Sequence, residues 1–184
     1  IEGGLTEMLI WLEAAQTDTT YDTFYMTEDI LWTESRHFKV GSVTLYTGEY
    51  GITIPTGGDF SVSGDLTIVG GSDQPIFTVK NKSSLWLGTD VVIEVNGGCG
   101  ILLEDFSIDS LHSFFHISIN INFTTISVTG PGAVGIYAKD SFSQHYVNMD
   151  VGDGAFGIVS DAGVTLEFSE IRGDGSGIQA AGEI

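Results

Sequence analysis

Short runs of alternating apolar and polar residues fill most of the sequence after about residue 48, and glycine-containing segments separate these runs. Alternation with a period of two predicts β-strands with one buried and one exposed face. The segment from Leu5 to Ala15 differs, because its apolar residues recur at the spacing of an amphipathic helix. We therefore predict one N-terminal helix followed by many short strands. This helix, which includes Trp11, either caps the strands or docks on a partner chain.

A Gly-Ile pair recurs through the strand-rich region. It is found at Gly51-Ile52, Gly100-Ile101, Gly135-Ile136, Gly157-Ile158 and Gly177-Ile178, with a variant at Pro75-Ile76. Most copies begin about 20–25 residues apart, the length of one solenoid coil made of three short strands and their turns. The longest interval follows Gly100, and there we expect a lateral loop near residues 111–115.

This repeat predicts an all-β fold, a right-handed parallel β-helix with a short helical or irregular N-terminal cap. We assign residues 1–47 to the cap and residues 48–184 to the coils. Equivalent inward residues of stacked coils should form an internal ladder. Its expected members are Ile52, Ile76, Ile101, Ile136, Ile158 and Ile178. The glycines would allow positive φ at coil corners. A β-sandwich is the alternative, but it has no need to repeat Gly-Ile.

The Gly-Ile coils of residues 48–184 resemble the pectin-lyase-like right-handed β-helix superfamily. That group includes polysaccharide lyases and hydrolases, phage tailspikes and other virion appendages, and bacterial surface adhesins. The resemblance lies in period and pattern, so it implies the fold more directly than an activity. It also implies a homo-oligomer, because virion β-helices of this kind are commonly trimers.

The net charge of the chain excludes some classes of binding partner. The chain has 25 acidic against 6 basic residues, a net charge of −19. Such a surface repels phosphate backbones and acidic membranes and attracts cations. No apolar run approaches the ~20 residues of a membrane-spanning helix. We therefore predict no nucleic-acid partner and no membrane insertion. The single cysteine, Cys99, excludes an intrachain disulfide, and its apolar neighbours favour a buried thiol.

Catalytic chemistry has weak candidates in Glu104, Asp105 and Asp109. Lyases of this superfamily usually combine a basic proton abstractor with acidic calcium ligands, and none of the six lysines and arginines falls in a recognisable motif. Its glycosidases need paired carboxylates near the scissile bond. Asp105 and Asp109 would share a face of a strand, so a pair is geometrically possible. However, the Asn-Thr-Asp, Asp-Asp and Gly-His-Gly signatures typical of polygalacturonases are absent. The alternative, that these are solvated acids on a strand face, is favoured.

We predict no cofactor, although a calcium ion is conceivable between two acidic turns. Asp153 and Asp174 each lie in a Gly-Asp-Gly turn, 21 residues apart. If the turns stack at one corner, calcium would relieve repulsion between the carboxylates. Asp-Gly is also a common turn pair without metal, and this reading is favoured. His112 and His116 are four residues apart, but no other ligand completes a zinc motif.

These observations favour a non-catalytic structural protein of a virion: a decoration, fibre or tailspike segment that acts as a rigid module. Its expected partners are itself, as a trimer, and other virion or surface proteins. An extracellular adhesin or passenger domain of a cell-surface protein is the second hypothesis, and a carbohydrate-active enzyme is the third. Glycans are further candidate ligands, because Trp86 and Tyr146 suit sugar stacking if they point outward. Packing in a core or an interface is the favoured alternative for Trp86.

Overall fold

The computed structural model describes residues 1–18, 20–88, 90–104, 118–121 and 124–184. In these residues the protein is a parallel β-solenoid with one short N-terminal helix. Every strand pair in this part of the chain is parallel. The predicted solenoid is therefore confirmed, and the β-sandwich alternative is wrong because sandwiches are built from antiparallel sheets.

The elements follow one another in coils of up to three strands. They are β1 (Glu2–Gly3), α1 (Leu5–Ala14), β2 (Thr23–Met26), β3 (Ile30–Leu31), β4 (His37–Tyr46), β5 (Ile52–Ile54), β6 (Asp59–Gly70), β7 (Phe77–Val79), β8 (Ser84–Leu87), β9 (Val91–Asn96), β10 (Cys99–Leu103), β11 (Ser118–Asn120), β12 (Thr125–Thr129), β13 (Val134–Ala138), β14 (Phe142–His145), β15 (Asn148–Val151), β16 (Phe156–Ser160), β17 (Val164–Glu167), β18 (Glu170–Gly173) and β19 (Ser176–Ala180).

The strands form three faces. Face one contains β1, β2, the second halves of β4 and β6, and then β9, β12, β15 and β18. Face two is a seven-stranded sheet in the order β3, β5, β7, β10, β13, β16 and β19. Face three begins with the first half of β4, which pairs with β6. The first half of β6 pairs in turn with β8, and β8 pairs with β11. The strands β14 and β17 form a separate pair that precedes face one in the last coils.

An inward ladder of large apolar residues runs the length of face two. Its paired members are Ile30, Ile52, Phe77, Ile101, Ile136, Ile158 and Ile178. The prediction of Ile76 in this ladder is wrong. The amide of Ile52 donates to the carbonyl of Ile76 at 2.9 Å, which places Phe77 opposite Ile52. The Phe77 ring contacts Phe60 with centroids 5.0 Å apart, so this coil holds an aromatic layer.

The glycines serve two different purposes. Corner glycines such as Gly97 and Gly154 have positive φ, as expected. The glycine of the Gly-Ile pair is required, in every copy but the last, because a side chain there would collide with the backbone of the next coil. A Cβ at Gly100 would lie 2.6 Å from the carbonyl oxygen of Gly135, and one at Gly135 would lie 2.7 Å from that of Gly157. These glycines therefore allow consecutive coils to approach each other closely.

The N-terminal helix packs on the solenoid. Helix α1 buries Met8, Trp11 and Leu12, and the Trp11 ring contacts Phe24 of β2 at 5.3 Å. This contact confirms that the helix packs on its own strands. Parallel pairing already includes β2, β3 and β4, which precede residue 48. In the described part of the chain, no helix is long and apolar enough to span a membrane.

Candidate functional site

Glu104 lies at a corner of the solenoid between two lysines. Lys80, Glu104 and Lys139 directly follow the paired strand ends of β7, β10 and β13, so they stack in consecutive coils. The Glu104 carboxylate accepts hydrogen bonds from both ammonium groups, at 3.0 Å from Lys139 Nζ. The hydrogen bond from Lys80, followed by that from Lys139, lowers the pKa of Glu104. Glu104 is thus an ionised member of an ion ladder, which is the wrong protonation state for a general acid at neutral pH.

The other two carboxylates of the enzymatic hypothesis, Asp105 and Asp109, lie outside the described residues, as do His112 and His116. The pairing of Asp105 with Asp109 stays a prediction. Replacing Glu104, Asp105 and Asp109 together and assaying polysaccharide cleavage tests that hypothesis, because unchanged cleavage would remove all three from catalysis.

The two Gly-Asp-Gly turns differ in length. Between the paired strands, four residues link Val151 to Phe156, whereas two link Gly173 to Ser176. Asp153 and Asp174 therefore do not occupy equivalent positions, although both are exposed at the same corner. Among the described residues, no three His, Cys, Asp or Glu side chains gather as a metal site. Calcium binding here stays a prediction.

Cys99 begins β10 and is half-buried. Burial raises the pKa of its thiol to about 11. The thiol is therefore protonated at neutral pH and is a poor nucleophile or metal ligand. This environment agrees with the expectation of a packed rather than a reactive cysteine.

Two pairs of exposed aromatic rings stack between neighbouring coils. Tyr25 and Tyr46 on face one have centroids 5.0 Å apart and planes 10° apart. Tyr146 and Phe168, which directly follow β14 and β17, have centroids 5.4 Å apart and planes 19° apart. In each pair, one face of each ring is covered by the ring of its partner. A ligand could therefore stack on at most one face of each ring.

The outer surface of face three combines an aromatic ring with polar side chains. Trp86 of β8 lies in register with Ser61 of β6, which lies in register with His37 of β4. The His37 ring meets the Trp86 ring edge-on, with centroids 4.8 Å apart and planes 70° apart. Both imidazole nitrogens are hydrogen-bonded: Nδ1 to Ser61 Oγ at 2.8 Å and Nε2 to Ser63 Oγ at 2.9 Å. We call these four residues the Trp86 shelf.

The sequence offered Trp86 as a sugar-stacking residue if it points outward, with packing in a core or an interface as the favoured alternative, and it did not connect Trp86 with His37 or the serines. The alternation of Ser84 to Leu87 contains the signal for the outward direction. The remaining partners depend on register, because 24 residues separate His37 from Ser61. The Gly-Ile repeat gives coil length only approximately, so it does not identify which polar residues become neighbours.

Comparison of the chain with protein-family models, with curated proteins and with solved structures finds no match.

Proposed function

We propose that this chain is a non-catalytic structural module of a virion, a decoration, fibre or tailspike segment that serves as a rigid unit in assembly or surface attachment. The observation that carries the proposal is the continuous parallel pairing of the seven strands from β3 to β19 on face two. At a strand spacing of about 4.8 Å, these strands form a rod about 29 Å long. Each coil is braced by the coils on both sides, so the rod resists bending.

Surface charge supports a location on the outside of a virion or a cell. The net charge of −19 on the chain favours its solubility and disfavours contact with nucleic acid. The proposed partners are further copies of the chain, assembled as a homotrimer, and other virion or surface proteins. The exposed aromatic pair of Tyr25 and Tyr46 offers apolar contact area for such assembly.

The test is the solution mass of the purified full chain, measured by light scattering first with calcium and then with EDTA. We expect a trimer with calcium. A trimer that dissociates in EDTA would identify a calcium-dependent interface and make Asp153 and Asp174 the first residues to replace. A monomer in both buffers contradicts the trimer and favours the second candidate.

That second candidate is an extracellular adhesin or passenger domain of a cell-surface protein. The Trp86 shelf favours it, because an exposed aromatic ring beside hydroxyl and imidazole groups suits contact with an external ligand. Adhesion is tested by binding of the fluorescently labelled chain to intact cells, with a Trp86→Ala variant for comparison. Equal binding by both proteins would exclude the shelf from adhesion.

A further inference from the structure

The outer surface of face two carries no charged side chain. None of the residues in its seven described strands is acidic or basic. The strands of face one, by contrast, contain Glu2, Glu94, Asp150 and Glu170, and those of face three contain Lys39. On a chain with a net charge of −19, a whole sheet without charge is a distinct surface.

Apolar side chains occupy much of this surface. One outward residue from each strand forms a continuous row, which runs from Leu31 in β3 to Gln179 in β19. Leu102 stands at the middle of the row and points outward, because the residues on both sides of it are buried. Tyr137 and Val159 follow in the next two coils. Apolar residues without charges are the composition of the buried centre of a protein interface.

The dimensions of face two also suit an interface. Seven strands at a spacing of about 4.8 Å give a length of about 29 Å, and strands of five residues give a width of about 16 Å. The flat footprint is therefore roughly 460 Å². Residues at the two long borders of the sheet widen this footprint toward the roughly 800 Å² that each partner buries in a standard interface.

The border at which the strands of face two begin is acidic. We call it the start corner, and it consists of the described residues that link face one to face two. It contains no lysine or arginine and has six exposed carboxylates, those of Glu28, Asp29, Glu49, Asp73, Asp153 and Asp174.

The border at which these strands end holds lysines. We call it the end corner, and Lys80, Lys82 and Lys139 lie there, directly after β7 and β13. The contrast is clear in the coil of β7, because Asp73 precedes this strand and Lys80 follows it. The Lys80 ammonium bonds to Glu104, and as a donor of three hydrogen bonds it has capacity for a second carboxylate.

These charges select one arrangement of two copies. If neighbouring rods ran antiparallel with their faces two in contact, start corner would meet start corner, and the carboxylates would repel each other. If the rods run parallel around a common axis, the start corner of one copy meets the end corner of the next. Equal coils then lie at equal height, so Asp73 of one copy comes opposite Lys80 of its neighbour.

Three copies in this arrangement leave no empty space at the axis. Three strips about 16 Å wide that meet at their corners enclose a triangle whose sides lie about 5 Å from its centre. Packed sheets are about 10 Å apart, so the side chains of each sheet fill about 5 Å. The outward row of face two therefore has the reach needed to fill the centre.

We propose that face two is the surface through which copies of this chain associate, as parallel rods around a common axis, with the start corner of each copy against the end corner of the next. This proposal names the interface of the homotrimer proposed above and rests on that function. Leu102 lies in its apolar centre, and the contact of Asp73 with Lys80 belongs to its charged rim. The aromatic pair of face one is the rival surface, but Glu2 and Glu94 border it in the same row.

Light scattering of the full chain with Leu102→Glu tests the centre of the interface. The carboxylate would be buried at the axis without a partner, so we expect a monomer at concentrations at which the wild type is assembled. Val92→Glu is the matched control, because Val92 is a half-buried outward valine on β9 of face one. We expect this variant to keep the mass of the wild type. Circular dichroism melts establish that both variants are folded.

Asp73→Lys tests the rim through an exposed turn residue, and it replaces Leu102→Glu if that variant does not fold. A lysine at position 73 would face Lys80 of the next copy. We expect assembly to require roughly two- to tenfold higher concentration, as the loss of an exposed ion pair predicts. In about 1 M salt the difference should disappear, because exposed charges are screened. Asp65→Lys, at an exposed position outside face two, should assemble as the wild type does.

The outcomes separate the interface from the proposed function. A trimer that withstands both Leu102→Glu and Asp73→Lys, or one that Val92→Glu dissociates, overturns the assignment to face two and leaves the structural module. A dimer that Leu102→Glu dissociates overturns the trimer and leaves face two as the interface. A wild type that is monomeric at every concentration overturns both.

Discussion

The carbonyl oxygen of Gly135 lies 2.6 Å from the position that a Cβ at Gly100 would occupy. Real Cβ atoms do not come this close to a backbone oxygen, so the two coils would have to move apart to admit a side chain. We expect Gly100→Ala to lower the free energy of unfolding by about 1–3 kcal/mol, as overpacking in a rigid core does. Urea unfolding followed by circular dichroism measures the change.

Gly177 is the matched control for that substitution, since it is the last copy of the same Gly-Ile pair. The nearest atom to a Cβ at Gly177 is Ile171 Cγ2 at 3.5 Å, an ordinary van der Waals distance. Gly177→Ala should therefore leave the stability within about 0.5 kcal/mol of the wild type. Equal losses at Gly100 and Gly177 would show that the requirement for glycine is not the approach of the next coil.

Phe77 is a member of the face-two ladder, and all the remaining members of this ladder are isoleucine. Phe77→Ile would make the ladder uniform, yet we expect it to destabilise the protein by about 1–3 kcal/mol. The substitution removes the ring contact with Phe60 and leaves space in the aromatic layer. Thermal melting measures the effect, with Ile136→Val as a conservative control. A melting temperature equal to the wild type would mean that the layer repacks without loss.

The helix, the solenoid and most of the inward ladder were predictable from the sequence, because period and burial are local properties of a strand. The position of Phe77 was not. The pair Pro75-Ile76 resembles the Gly-Ile repeat in sequence. However, the amide of Ile52 donates to the carbonyl of Ile76, so Phe77, one residue later, is the partner of Ile52. Register in a solenoid depends on turn lengths, which the spacing of repeats gives only within a residue or two.

The ion ladder of Lys80, Glu104 and Lys139 predicts a pH dependence of stability. The pKa of Glu104 is lowered from 4.5, first by the hydrogen bond from Lys80 and then by that from Lys139. A lowered carboxyl pKa stabilises the fold above pH 4.5, and this stabilisation disappears as the pH falls through the folded-state pKa. At neutral pH we expect Glu104→Gln to cost about 1 kcal/mol.

The difference in unfolding free energy between wild type and Glu104→Gln should shrink as the pH falls below 4.5, because protonated Glu104 and glutamine are both neutral. Glu94→Gln, which removes an exposed carboxylate on face one, serves as the control for the loss of one negative charge. A difference that stays constant from neutral pH to below the folded-state pKa would show that the ladder does not stabilise the fold.

The candidate site was harder to predict from the sequence than the fold. Glu104 was identified as a carboxylate with possible chemistry, but its lysine partners come from the preceding and following coils. In the same way, His37 meets Ser61 and Ser63 only after β4 and β6 are aligned. Side chains that share a corner or an outer face are about one coil apart in sequence, so no local motif marks them.

Cys99 gives a test of the packing around β10. Burial raises the pKa of its thiol from 9.0 to about 11, so the thiolate fraction at pH 8 should be about a hundredfold lower than in the unfolded chain. We expect reaction with a colorimetric disulfide reagent to be slower in the native protein by at least that factor, since burial also limits access. Rates measured in buffer and in denaturing urea provide the comparison. Similar reaction rates of Cys99 in the native and the unfolded protein would mean that β10 opens readily. Face two would then not form the rigid rod proposed for this protein.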